Sequence, residues 1–140
     1  MRTVRETRSI GISLLSTLIT IGLLAVTTSF AAEKHTTKPF KGEKVNRGTV
    51  THEVKGGKSV LTLSNDFEVP NTPDPHWQLV DSKGTVYLLD RLKLKDDKIT
   101  TSITVPAYVQ DIAKVQMWCA WAVVVLGEAP FDKPIKAHGK

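Results

Sequence analysis

The sequence predicts an all-β domain, a small antiparallel β-sandwich, from three observations. Apolar residues recur with a period of two, turn residues punctuate the chain at short intervals, and no long amphipathic helix or internal repeat interrupts the pattern. In residues 49–54 the alternation places Val50, His52 and Val54 on one face. Residues 55–58, Lys-Gly-Gly-Lys, supply a turn, since glycine reaches positive φ without steric cost. Leu61, Leu63, Phe67 and Val69 then alternate with Thr62, Ser64, Asp66 and Glu68, so the returning strand is expected to run through to Val69. Three prolines in residues 70–75 lack the N–H that a ladder requires and make that segment a stiff loop.

Strand character resumes over residues 76–81, turns at Ser82-Lys83-Gly84 and returns over residues 85–90. Asp96-Asp97-Lys98 marks another turn, and Ile99, Ile103 and Val105 a further strand that Pro106 stops. Residues 107–113 read as a short helical turn. Residues 114–126 are apolar on both faces apart from Gln116, which predicts one continuous central strand covered on each side, with Trp121 in the core.

Residues 1–31 read as a signal peptide: Arg2, Arg5 and Arg8 precede an apolar stretch, and Ser29-Phe30-Ala31 fits cleavage before Ala32. Ser13, Ser16, Thr17 and Thr20 dilute that stretch, which falls short of the ~20 apolar residues of a spanning helix. No cysteine follows it to carry a lipid, and no other stretch is apolar enough to span a membrane after its removal. The expected location is therefore exported, periplasmic or extracellular. Residues 32–39 read as a flexible lead-in, 40–131 as the β domain and 132–140 as a basic tail. Cleavage removes three arginines and one glutamate, lowering the net charge from +5 to +3. The remaining lysines are scattered without interleaved aromatics, a solubilising pattern that argues against a nucleic-acid partner.

Cys119 is the single cysteine of the chain. An exported domain with one thiol makes no internal disulfide, so Cys119 is a core residue, a ligand, a redox thiol or half of an intermolecular bridge. Its neighbours Met117, Trp118, Ala120 and Trp121 bring no positive charge, and burial alone raises a thiol's pKa. As a soft ligand, the thiolate suits haem iron or copper, with Met117, His52 or His76 as further ligands after folding. His52 shares its face with Val50 and Val54, where a hydrogen-bonded core histidine is the ordinary reading. His76 follows the proline loop, where Asp74 and Trp77 flank a potential pocket edge. The sequence has no Cys-x-x-Cys-His, zinc-ligand spacing, phosphate loop or catalytic triad, and does not indicate a stand-alone enzyme.

The segment Met117-Trp118-Cys119-Ala120-Trp121-Ala122-Val123-Val124-Val125-Leu126-Gly127-Glu128-Ala129 resembles the closing motif of the DM13 domain family, in which a Trp-Cys pair leads to a Gly-x-Ala. Phe40-Lys41-Gly42, Gly48, Leu63 to Phe67, Pro73-Asp74-Pro75-His76, Leu92-Lys93 and Val105-Pro106 follow in the same order as that family's other pieces. The resemblance spans about residues 40 to 131. It departs from the family at Pro75, where an apolar residue is usual, and at Ala122, where an aromatic is. The resemblance implies an extracytoplasmic all-β module related to cytochrome-like DOMON domains, with an electron-transfer role resting on the cysteine, either as a bare redox thiol or as a ligand to a group such as haem. Two functions follow as expectations. One is an exported redox or electron-transfer domain working through Cys119 with an unidentified redox partner. The other is a non-catalytic binding module for a cell-surface ligand, in which Cys119 only packs.

Overall fold

A computed structural model describes residues 33–139, and the expected signal peptide and its cleavage site lie outside them. The described residues form eight strands: β1 (His35–Thr36), β2 (Val50–Lys55), β3 (Lys58–Leu63), β4 (Pro75–Val80), β5 (Val86–Arg91), β6 (Ser102–Thr104), β7 (Asp111–Cys119) and β8 (Val124–Lys136). They make two four-stranded sheets, β1-β2-β3-β6 and β5-β4-β7-β8, in which every pairing is antiparallel. The domain is an all-β sandwich. No described helix is long and apolar enough to cross a membrane.

The core lies between the sheets. Val50, Leu61, Leu63 and Ile103 face it from the first sheet, and Trp77, Leu79, Val115, Met117, Cys119 and Ala129 from the second. Along the second sheet the register sets Trp77 beside Met117 and Leu79 beside Val115. The opposite face carries a polar ladder, in which Gln78 Nε2 donates to Gln116 Oε1 at 2.7 Å and Gln116 Nε2 to Glu128 Oε2 at 3.0 Å. This alternation is the period of two read from the sequence, turned into an inside and an outside.

The β2–β3 hairpin turns at Gly56 and Gly57, both at positive φ as the Lys-Gly-Gly-Lys segment requires. β3, however, ends at Leu63 and not at Val69. Ser64 Oγ donates to Asp66 Oδ1 at 2.6 Å, and Phe67 N donates to the Ser64 carbonyl at 3.1 Å, closing a polar turn where the alternation suggested a strand. Phe67 then packs edge-on against Phe40, ring centroids 5.4 Å apart. The expected helical turn before β7 is a turn closed by Val109 N on the Pro106 carbonyl, and β7 already begins at Asp111.

The predicted continuous strand over residues 114–126 is corrected by the structure. β7 is central, between β4 and β8, but it stops at Cys119, and residues 120–123 form the tip of a hairpin whose return begins at Val124. The two-sided apolarity belongs to two paired strands and not to one. Trp121 is 75% exposed and Val123 is 70% exposed at the tip, so Trp121 is no core residue.

Both termini of the domain are more ordered than the sequence suggests. In the lead-in, β1 pairs with β2, Thr37 Oγ1 accepts from Val50 N at 2.9 Å, and Lys38 N donates to the Pro130 carbonyl at 2.8 Å. In place of a basic tail, β8 continues to Lys136, with Ile135 opposite Ile112 and Ala137 fully covered. The segment from Phe40 to Val45 lies along the other edge of β8, with reciprocal bonds between Lys41 and Glu128 and with Lys44 N and Val45 N both donating to the Leu126 carbonyl. A Cβ on Gly42 would sit 2.4 Å from Gly127 Cα, and one on Gly127 2.5 Å from the Val45 carbonyl oxygen, so this approach requires both glycines.

Trp77 is fully covered and its indole donates to the Thr100 carbonyl at 2.8 Å. Trp77→Ala is expected to cost about 3–5 kcal/mol, and Trp121→Ala less than about 0.5 kcal/mol, a contrast that urea midpoints of the two variants will show. Asp81 gives a second test. Burial acts to raise its pKa, but donation from Thr85, Tyr87 and Lys83 outweighs this and holds the carboxyl below its ordinary value. The stability it contributes is therefore present above about pH 4 and is lost as pH falls through the lowered native value. Asp81→Ala should be less stable at neutral pH and should lose less on acidification than the parent, measured by urea midpoints along a pH series.

Candidate functional site

Cys119 closes β7 at one end of the sandwich and is free, with 0% of its surface exposed. Two loops cover it. The hairpin tip at residues 120–123 folds over it from its own strand, and the proline loop brings Thr72 and Asp74 alongside because Pro75 pairs with Cys119. Ala120 N donates to the Asp74 carbonyl at 2.9 Å and ties these loops together. The cover is one layer thick, since residues 121–124 are themselves exposed.

Burial raises the pKa of the Cys119 thiol. The backbone N–H groups of Ala122, Asp74 and Trp121 and, least of these, the Thr72 hydroxyl act the other way, and together they leave the thiol below its ordinary value. The thiolate is thus favoured by peptide dipoles, with no cation needed. This feature escaped sequence reasoning, which looked for a positive side chain. Backbone donors carry no signature in residue identity. Thr72 Oγ1 is buried and has no hydrogen-bond partner of good geometry, which leaves it free to turn toward the sulfur.

The turn that positions these donors holds Val123 at a φ of 55°. For a β-branched residue that is a strained conformation, costing on the order of 1–3 kcal/mol, and the surrounding pairing has to hold it.

Of the further ligands considered in the sequence, Met117, His76 and His52, the structure brings only Met117 next to Cys119. They stand two apart on β7 and share the core-facing side. His76 pairs with Trp118 and lies on the opposite face of the sheet. There its Nδ1 faces the Leu89 carbonyl at 3.1 Å and its Nε2 the Asp74 carboxylate at 3.1 Å. Arg91 Nε donates to the same Asp74 oxygen at 2.7 Å. Burial tends to raise the Asp74 carboxyl, but Arg91 and His76 hold it below its usual value. Asp74 therefore serves both sides of the sheet, its side chain on the outer cluster and its backbone N–H toward the thiol. Arg91, the anchor of that outer cluster, was not picked out in the sequence.

His52 lies in the other sheet, with Nε2 at 2.6 Å from Ser59 Oγ and 3.4 Å from the Ala137 carbonyl. Burial lowers its pKa, outweighing the Ala137 carbonyl. Ala137 is bonded to Gln110, just before β7, whereas Cys119 is the last residue of that nine-residue strand. The two side chains are thus about 26 Å apart along the strand direction.

The four residues Cys119, Met117, His76 and His52 do not form one ligand set. Among the described residues no group of three or more His, Cys, Asp or Glu is placed to hold a metal. The space beside Cys119 between the sheets is filled by Pro75, Trp77 and Met117, all fully covered. The residues present do not fit a haem.

Next to the thiol, on the solvent side of the proline loop, lies an open groove of about 490 Å³ lined by Asn71, Thr72, Pro73, Arg91, Lys93, Leu94 and Lys95. Thr72 belongs both to this groove and to the wall of the thiol site. Thr72→Val removes a hydroxyl that lowers the thiol pKa, so the midpoint of its alkylation against pH should move upward, and an unchanged midpoint would exclude the hydroxyl from the site's electrostatics. No family model, no curated protein and no solved structure matches this chain.

Proposed function

We propose that this protein is an exported redox module whose chemistry resides in Cys119 acting as a bare thiol, the role that the DM13 resemblance implies. One feature carries this reading: despite its burial, the Cys119 thiol is held below its ordinary pKa by the peptide N–H groups of Ala122, Asp74 and Trp121, at a point where two loops meet over the strand end. A merely packed cysteine has no use for such an arrangement, whereas a thiolate nucleophile does. The reaction that suits a single thiol is exchange with a partner disulfide. The Cys119 thiolate attacks one partner sulfur, the partner S–S bond breaks, a mixed disulfide forms, and the second partner sulfur leaves as a thiolate and takes up a proton. Full coverage of the sulfur means that the hairpin tip or the proline loop must open first.

A second reading is a cell-surface binding module, favoured by the exposed Trp121, Val123 and Val124 at the hairpin tip. The two readings separate on the thiol. Under the redox reading, Cys119 is alkylated in the native protein with a pH midpoint below that of a free thiol, and at a rate faster than global unfolding. A thiol that reacts only as the protein unfolds leaves the binding module as the better reading.

A further inference from the structure

At the end of the sandwich remote from Cys119, His35 and His52 stand directly opposite each other on the β1–β2 ladder, with ring centroids 5.7 Å apart and planes tilted by 34°. Opposed residues of an antiparallel pair project to the same face. His52 is 2% exposed, and His35 is partly covered. Nε2 of His52 faces the Ala137 carbonyl at 3.4 Å, an oxygen that only accepts, and Ser59 Oγ at 2.6 Å. Nε2 of His35 faces the Glu33 carboxylate at 3.2 Å. With Nε2 donating to the Ala137 carbonyl in His52 and to the Glu33 carboxylate in His35, Nδ1 of each neutral ring is a bare lone pair.

Both Nδ1 atoms are buried, and neither has a hydrogen-bond partner. Two orphaned acceptors on neighbouring rings are costly unless something electron-poor sits between them. An imidazole held through one nitrogen by an oxygen, with the other nitrogen free, is also the arrangement found in metal-ligating histidines, where the oxygen fixes tautomer and ring orientation. Zinc–imidazole bonds of about 2.0–2.1 Å place two ligating nitrogens at most about 4 Å apart. Rings with centroids 5.7 Å apart can span that distance.

We propose that His35 and His52 bind a borderline divalent cation of the zinc or copper type through their Nδ1 atoms, with Glu33 and Ala137 orienting the two rings. Imidazole donors suit these metals better than magnesium or calcium. No third His, Cys, Asp or Glu among the described residues joins them in a ligating group, so water completes the coordination shell and the ion exchanges.

The test is calorimetric titration of the protein with zinc chloride, in a Cys119→Ser background so that the thiol takes no metal. One equivalent is expected to bind, with a rise in melting temperature. His35 lies in a two-residue strand and is only partly covered, so His35→Gln should fold normally, with an unchanged circular dichroism spectrum. That variant should bind zinc at least about tenfold more weakly and lose the thermal shift. Equal zinc affinity in parent and variant, or no binding by the folded parent, would overturn the proposal and leave the two Nδ1 atoms bridged by a trapped water.

Discussion

A reversal of four residues between Cys119 and Val124 sets the arrangement of the second sheet, because it converts one apolar run into two paired strands. Val123 at a φ of 55° makes that reversal possible without a glycine, and the β7–β8 ladder of thirteen-residue β8 against β7 holds it in place. From the same turn come the position of Cys119 at a strand end, the peptide N–H groups over its sulfur and the exposure of Trp121. Were the chain to continue straight, β7 would keep β4 but lack β8, and the sulfur would keep the proline loop but lose the cover of the hairpin tip and the Trp121 and Ala122 donors.

The second constraint is a glycine contact. β8 is the outer strand of its sheet, and an uncovered outer strand invites pairing with another chain. The segment from Phe40 to Val45 occupies that edge, and it can lie flat there only because Gly42 and Gly127 carry no side chain. Phe40 then turns inward to the core, where it meets Phe67 from the turn after β3. Two stretches that are distant in the sequence are thus one packed unit.

The architecture was legible in the sequence where side-chain chemistry dictates backbone shape. Alternation marked β2, β4 and β5, Lys-Gly-Gly-Lys marked a turn, and the prolines of residues 70–75 marked a loop. Legibility failed where polar turn residues sat within an alternating run, as at Ser64 and Asp66. It failed more completely at residues 120–123, where Ala-Trp-Ala-Val contains none of the residues that ordinarily reverse a chain. The site was legible only to the level of Cys119 itself. Its electrostatics come from peptide groups, Thr72 approaches from a loop nearly fifty residues away in sequence, and His76 and His52 share a residue type with plausible ligands but not a location. The His35–His52 pair was equally hidden, since only strand register brings the two rings together.

The chain enters the described fold near His35 and leaves it near Ala137, and these two positions meet around His52 at the end opposite the thiol. A tether joined to the described fold at either of these positions is therefore attached at the pole away from Cys119. A protein tethered in that way would hold its sulfur, its strained hairpin and the basic groove outward, in the orientation that a diffusing partner can reach.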